Sequence, residues 1–242
     1  MNTVAGPTLV VFDLDDTLYE YTPCDRAGRR ALFSFANEEL GVKSPAFEEA
    51  YSVARSNVKA RLGDAASSHS RLLYCHEALE LIGLRSEPHI ALVMEQEYWR
   101  NYLLAMTLRP GVVDLLQTLR YNSVATAVVT DLTAQIQFRK LHHLDLSKSI
   151  DHVVCSEETR GEKRSLEPFR LLFSRTAPAL AQDVWFVGDQ AFDAPVEALM
   201  AEGLVRAGRG FVHEATPDGH VQGWRHVREI EQAVDEAVGG AA

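Results

Sequence analysis

The sequence is short of cysteine, of long apolar runs and of positive charge. Its three cysteines, Cys24, Cys75 and Cys155, are odd in number, far apart and without a Cys-x-x-Cys pair. That pattern argues against a disulfide framework or a thiolate zinc site, and it suits a reducing compartment. No stretch approaches the roughly 18 consecutive apolar residues of a membrane span. The first apolar run is short, lacks a basic lead-in and ends in acids, so no signal peptide is expected. Lys and Arg total 24 against 34 Asp and Glu, a formal net charge of -10. Net charge therefore draws the chain neither to phosphate backbones nor to anionic membranes, and neither is expected as a partner. There is no internal repeat, and low complexity is confined to the Gly/Ala tail at 239–242. The expectation is a cytoplasmic protein whose oligomeric state the sequence leaves open.

What is present is enough for a sizeable core, at 242 residues and 46% hydrophobic. The chain is organised around Leu9-Val10-Val11-Phe12-Asp13-Leu14-Asp15-Asp16-Thr17-Leu18, an apolar run that stops at three carboxylates and a hydroxyl. A short apolar run bounded by turn chemistry reads as a buried strand of a parallel sheet. Ligands of open α/β sheets bind beyond the carboxyl ends of the strands, where Asp13 and Asp15 would stand. One carboxylate can attack or hold a metal while the other handles a proton. An Asp-x-Asp alone reads more readily as an acidic loop capping the next helix. A calcium loop fits poorly, because Leu18 and Cys24 fall where that loop needs its Gly and its bidentate Glu.

Beyond Thr17 the periodicity is helical. Apolar spacing gives a helix over 24–40 ended by Gly41, and Ser44-Pro45 opens a second with Ser as N-cap, running to Leu62. A third runs toward Ile82 and stops at Gly83, and Ser86-Glu87-Pro88 opens a fourth through Leu103. From Arg109-Pro110-Gly111 the rhythm alternates. Helices are expected at 112–120, 133–144, 168–176 and 194–202, and strands at 124–129, 152–155, 184–187 and 204–207. A last helix is expected near 228–238. Such alternation predicts a Rossmann-like parallel α/β core. The core comprises residues 1–18 and 108–242, and an all-helical domain is inserted at 19–107.

Four features then line up on strand ends and loops. Asp13 and Asp15 follow the first strand and Thr130 ends the second. Lys163 lies in a polar loop, and Gly188-Asp189 with Asp193 follows the fourth strand. Three acids at one sheet edge repel unless a divalent cation neutralises them, and an all-oxygen set suits Mg²⁺. A lysine and a threonine beside it suit phosphate oxygens, and Gly188 permits close backbone approach. The chemistry needing these parts is phosphoryl transfer through an aspartyl-phosphate.

In its order of Asp-x-Asp-x-Thr, strand-end Thr, loop Lys and Gly-Asp-x-x-x-Asp, the chain resembles the haloacid dehalogenase superfamily, in its phosphatase branch with a helical cap. The resemblance implies Asp13 as nucleophile and Asp15 as general acid, then base. It implies Mg²⁺ held by the side chains of Asp13 and Asp189 and the backbone carbonyl of Asp15. Thr130, Asp131 and Lys163 would hold the phosphoryl group, with Thr17, Gly188 and Asp193 in support. Asp131 stands where the family often has Asn, and Arg164 where Pro usually follows the lysine. The dehalogenases lack the second Asp, so Asp15 favours phosphate esters over organohalides.

The implied activity is hydrolysis of a small phosphorylated metabolite, such as a sugar phosphate, phosphoglycolate or nucleotide. A phosphomutase of the same fold and a non-catalytic phospho-ligand binder are the alternatives. Specificity is expected from the cap, with Arg26, Arg29 or Arg30 on its first helix or His69 and Arg71 near its third facing the site. A solvated helix face is an equal reading of those cations. His142 and His143 are expected at the surface, and Tyr98, Trp99 and Tyr102 in the core of the helical domain.

Overall fold

The computed structural model describes residues 6–212. The helix expected near 228–238 lies outside the described residues. The described chain divides into two compact units, one of residues up to Glu20 and from Thr107 onward, the other Tyr21–Met106.

The first unit is built on a five-stranded parallel sheet. In chain order the strands are β1 (Leu9–Phe12), β2 (Ala125–Thr130), β3 (His152–Cys155), β4 (Val184–Gly188) and β5 (Gly208–Val212). Their spatial order is β3-β2-β1-β4-β5. β1 is therefore central, with Phe12 in register with Val128 of β2 on one side and Val187 of β4 on the other. Its four residues are all buried, the expected pattern for a parallel strand covered on both faces.

Alternate side chains point to opposite faces. Leu9 and Val11 join Ala127, Val129, Val154, Val184 and Phe186 in one apolar cluster completed by Phe169 and Leu172. The latter two belong to α7 (Glu167–Arg175), and Phe169 meets Phe186 edge-on at 5.9 Å between centroids. Each large apolar side chain buried there contributes about 1.5–3 kcal/mol. α5 (Val112–Tyr121) packs against β2, α6 (Ala134–His143) against β3 and α8 (Val196–Ala201) against β5. His142 and His143 are exposed, as expected.

The last strand differs from the sequence reading, which put it at 204–207. Residues 204–207 are instead the approach to β5, with the Ala207 carbonyl accepting from Val184 N at 3.0 Å. The strand proper needs its glycines. A Cβ on Gly208 would lie 2.6 Å from the Val184 carbonyl oxygen.

The second unit is wholly helical, with α1 (Tyr21–Glu39), α2 (Ser44–Leu62), α3 (Arg71–Leu81) and α4 (Pro88–Leu104). Ser44 is the first helical residue of α2 and not its cap. Lys43 holds that position, and the Ser44 hydroxyl donates to the Phe33 carbonyl at 3.3 Å. α1 and α4 approach closely at Gly28, where any Cβ would stand 2.7 Å from the Tyr98 ring. Tyr98, Trp99 and Tyr102 are buried in this core, as the sequence suggested. No described helix is long and apolar enough to cross a membrane.

Candidate active site

The backbone N–H of Asp13 donates to the Val187 carbonyl at 2.8 Å, so the residue sits where β1 leaves the sheet beside β4. Its carboxylate is 5% exposed and both oxygens are engaged. Oδ2 accepts from the Thr17 hydroxyl at 3.1 Å, and Oδ1 from Lys163 Nζ at 2.5 Å. Thr17 comes within reach because the chain turns back at Asp16, which takes the left-handed conformation at φ 63°.

Lys163, on a short helical turn of residues 163–165, also donates to Asp193 Oδ1 at 2.5 Å. Asp193 closes the turn after β4, its other oxygen accepting from Gln190 N at 2.8 Å. Gly188 makes this possible, since a Cβ there would lie 2.2 Å from the Asp193 Cβ. Burial pushes the Asp13 carboxyl well up; Lys163 opposes the shift while Asp193, Asp15 and Asp189 add to it. Burial works against the charge on Lys163, but Asp13 and Asp193 together raise its pKa and keep it protonated.

Asp15 has different surroundings. Lys140 Nζ lies 2.7 and 2.8 Å from its two oxygens, the Tyr19 hydroxyl donates to Oδ1, and Gln137 Nε2 lies 3.4 Å from Oδ2. Burial would raise its pKa, but the Lys140 charge and these donors together lower it. The two motif carboxylates are thus driven apart, Asp13 toward the proton and Asp15 away from it.

Thr130 is 1% exposed at the end of β2, and its Oγ1 accepts from Gln137 Nε2 at 2.6 Å. Asp131 Oδ1 accepts from the Lys163 backbone N–H at 3.0 Å, tying the lysine turn to the β2 end. Burial raises the Asp131 carboxyl, with the Lys163 charge opposing. Leu132, next in line, is held at φ 112°, an uncommon angle for a branched residue. Arg164, in place of the family's proline, stacks on Phe192 at 4.1 Å from the ring centroid, and Lys163 Nζ lies 5.5 Å from the same ring. The two cations and Phe192 link the loop's turn to the Asp189–Asp193 turn.

Asp13, Asp189 and Asp193 each offer a carboxylate oxygen, all within 4.8 Å of one another. Three hard anionic oxygens fit a small divalent cation such as Mg²⁺. Burial pushes the half-buried Asp189 carboxyl up to about 6, and the neighbouring Asp193 and Asp16 add to the shift. Asp13 and Asp189 are the two side chains the sequence expectation named, and Asp193 stands with them. The Asp15 carboxylate is turned to Lys140, whereas Asp193 stands beside Asp13 and Asp189. The role expected of Asp15 toward a cation involved its backbone carbonyl only.

Gln137 and Lys140 were not singled out in the sequence, yet they are buried to 0% and 1% exposure and bind the motif residues directly. A signal existed. On α6 they share the buried side with Ile136 and Leu141, a place where apolar residues are expected.

The residues expected to set specificity fall in the helical unit and have different surroundings from one another. Arg26 and Arg30 are exposed and line, with Arg29, a cavity of about 580 Å³ between α1 and α2. Arg29 pairs there with Glu48 at 3.2 Å. Arg71 is instead 6% exposed, inside the unit. Its guanidinium donates to the Tyr21 hydroxyl at 2.7 Å and the His69 carbonyl at 2.8 Å, and lies 5.2 Å from the centre of the Trp99 ring. Its side chain ties the helices of this unit together, whereas it had been expected to face the site.

The chain is similar to several known proteins. Residues 7–196 match the family described as haloacid dehalogenase-like hydrolase. A ribulose-1,5-bisphosphate 5-phosphatase of Halopiger xanaduensis is 39% identical over 199 residues, covering 81% of this chain and 82% of that protein. A glyceraldehyde 3-phosphate phosphatase of Methanopyrus kandleri is 27% identical over 210 residues, covering 86% and 87%. Among solved structures, a HAD phosphatase of Thermococcus onnurineus superposes with a TM-score of 0.64 at 18% identity, covering 93% of this chain and 96% of that one. A magnesium-bound HAD-hydrolase of Bacillus subtilis has the same TM-score and identity, covering 95% and 99%. With its motif carboxylates and lysine gathered at the end of the central strand, the chain belongs to the haloacid dehalogenase-like hydrolases.

Proposed function

We propose that the protein is a Mg²⁺-dependent phosphatase that hydrolyses a small sugar phosphate through a phosphoryl group carried on Asp13. The observation that carries this reading is the buried Lys163 bridge between Asp13 and Asp193, with Asp189 alongside. A carboxylate held at 2.5 Å by an ammonium, with its second oxygen fixed by Thr17, has the orientation a nucleophile needs.

In this account an Asp13 oxygen attacks phosphorus and the bond to the leaving oxygen breaks. Asp15, which must first take up a proton against the Lys140 charge that lowers its pKa, supplies the proton that this oxygen takes. Water then attacks phosphorus while Asp15 accepts its proton, and the Asp13–phosphorus bond breaks to give inorganic phosphate and the original carboxylate. Lys163 and the Thr130 hydroxyl offset charge on the phosphoryl oxygens. Asp13, Asp189 and Asp193 would hold the cation, with Asp15 contributing its backbone carbonyl. Mg²⁺, when bound there, supplies the charge that keeps Asp13 ionised despite its burial and neutralises the phosphoryl oxygens.

The substrate class rests on the relatives, one named for a sugar bisphosphate and one for a triose phosphate. The exposed Arg26 and Arg30 would suit an anionic or hydroxylated leaving group, with the helical unit acting as a cap. The test is release of inorganic phosphate from ribulose 1,5-bisphosphate, glyceraldehyde 3-phosphate and phosphoglycolate, with Mg²⁺ or EDTA, beside Asp13→Asn. Metal-dependent release absent from the variant is expected. An isomerised sugar phosphate with no free phosphate would overturn the hydrolase reading in favour of a mutase.

A further inference from the structure

We infer that Lys140 is a positioning residue, whose task is to fix the carboxylate of Asp15 in the orientation that reaches the leaving oxygen. The inference rests on the phosphatase reading above and adds a residue to it. Lys140 lies on α6, which carries no part of the Asp-x-Asp, Lys or Gly-Asp motifs. Its ammonium crosses 125 positions of sequence to contact both oxygens of Asp15, at 2.7 and 2.8 Å.

Burial makes this contact informative. Lys140 is 1% exposed whereas Asp15 is 27% exposed. A lysine is almost never fully buried without a partner, because desolvating an ammonium costs more than a flexible surface pair returns. A pair kept for stability alone is more cheaply replaced by apolar side chains of similar volume. The geometry here has a different consequence. Asp15 is a short side chain at the mouth of the site, free to turn into solvent through its staggered rotamers. Contacts from Lys140 to both oxygens and from the Tyr19 hydroxyl to one of them remove that freedom.

The same helix fixes a second site residue. Gln137, three positions before Lys140, donates to Thr130 Oγ1 at 2.6 Å and to the Asp131 carbonyl at 2.8 Å. Two acceptors without hydrogens, that carbonyl and the Asp15 carboxylate, dictate which end of the amide is nitrogen. With Oγ1 accepting from Gln137, the Thr130 hydroxyl hydrogen is directed to the Asp131 carbonyl at 3.4 Å. One turn of α6 thus orients a hydroxyl through Gln137 and a carboxylate through Lys140.

The experiment compares Lys140→Met, Asp15→Asn and the double variant in the full-length Mg²⁺-loaded protein. Single-turnover p-nitrophenolate release from p-nitrophenyl phosphate needs no proton on the leaving group, whereas the sugar oxygen expelled from ribulose 1,5-bisphosphate would be a poor alkoxide leaving group and does. Lys140→Met is expected to slow the sugar ester about 30–100-fold. It should leave first-turnover p-nitrophenolate release within about threefold, and the double variant should be no slower than Asp15→Asn alone. Equal slowing of both esters, or losses that multiply in the double variant, would overturn the inference. Should Lys140→Met fail to fold by its thermal melt, Lys140→Gln keeps one donor and is expected to show the same ester dependence in milder form. The absence of phosphate release from the unmodified protein would instead contradict the phosphatase reading, a separate outcome.

Discussion

Lys163 Nζ lies 2.5 Å from Asp13 Oδ1, a contact between residues 150 positions apart that are both about 5% exposed. The same nitrogen meets Asp193 at 2.5 Å. One cation is thus the internal counter-charge of two buried carboxylates. Replacing it by methionine leaves Asp13 and Asp193 facing each other without compensation. Breaking a buried pair by removing one partner costs about 3–5 kcal/mol. Lys163→Met is expected to lower the thermal midpoint in EDTA, to recover part of the loss in Mg²⁺, and to lose phosphatase activity about 10²–10³-fold. Differential scanning fluorimetry with and without Mg²⁺ reads the first two.

Asp189 supplies a pH dependence. Its carboxyl, pushed up to about 6, is ionised above that pH and protonated below it. A cation needs the ionised form, so a proton must be displaced at acidic pH. Mg²⁺ affinity is expected to fall as pH drops through about 6, by up to about tenfold per unit for the Asp189 proton, with the raised Asp13 carboxyl adding to the fall. Isothermal titration at several pH values, in buffers of different ionisation heat, measures both affinity and proton release.

Gly188→Ala tests the close approach at the end of β4. The new methyl would lie 2.2 Å from the Asp193 Cβ, so the 191–193 turn has to move. Overpacking of this kind costs about 1–3 kcal/mol. It should also displace Asp193 from Lys163, so activity is expected to fall more than stability alone explains. Urea denaturation beside kcat and KM on the same preparation separates the two effects.

Much of the site was legible because sheet topology and local motif coincide. Asp13, Thr130 and Asp189 each follow an apolar run, and parallel pairing carries their strand ends to one edge. Lys163 and Asp193 were recognisable from their place in the motif order. Lys140 and Gln137 were not, because their partners are distant in sequence and their helix looked like an ordinary polar surface helix. Polar residues at buried-face positions were the one clue. β5 was misplaced because an exposed edge strand with two glycines lacks the apolar run that marks an interior strand. The burial of Arg71 was not legible for a related reason. A cation in sequence looks solvated, and only Tyr21, Tyr98 and Trp99 around it show that it is interior.

Arg71→Met is accordingly expected to act on folding and not on substrate choice. The variant loses a hydrogen bond from a charged group to the Tyr21 hydroxyl and the contact to the His69 carbonyl. Such bonds contribute about 1.5–3 kcal/mol each. Denaturant unfolding followed by tryptophan emission should show the loss, while the ranking of phosphate esters stays unchanged. A changed ranking with unchanged stability would return Arg71 to the list of substrate contacts.

The central claim is that Asp13 carries the phosphoryl group, and chemical trapping tests it most directly. A single turnover with substrate, quenched and reduced with borohydride, converts an acyl phosphate to the alcohol at that side chain. The account predicts homoserine at position 13 in peptide mass spectra, dependent on both substrate and Mg²⁺. Phosphate release at full rate with Asp13 unmodified throughout, or reduction at another carboxylate, would contradict it.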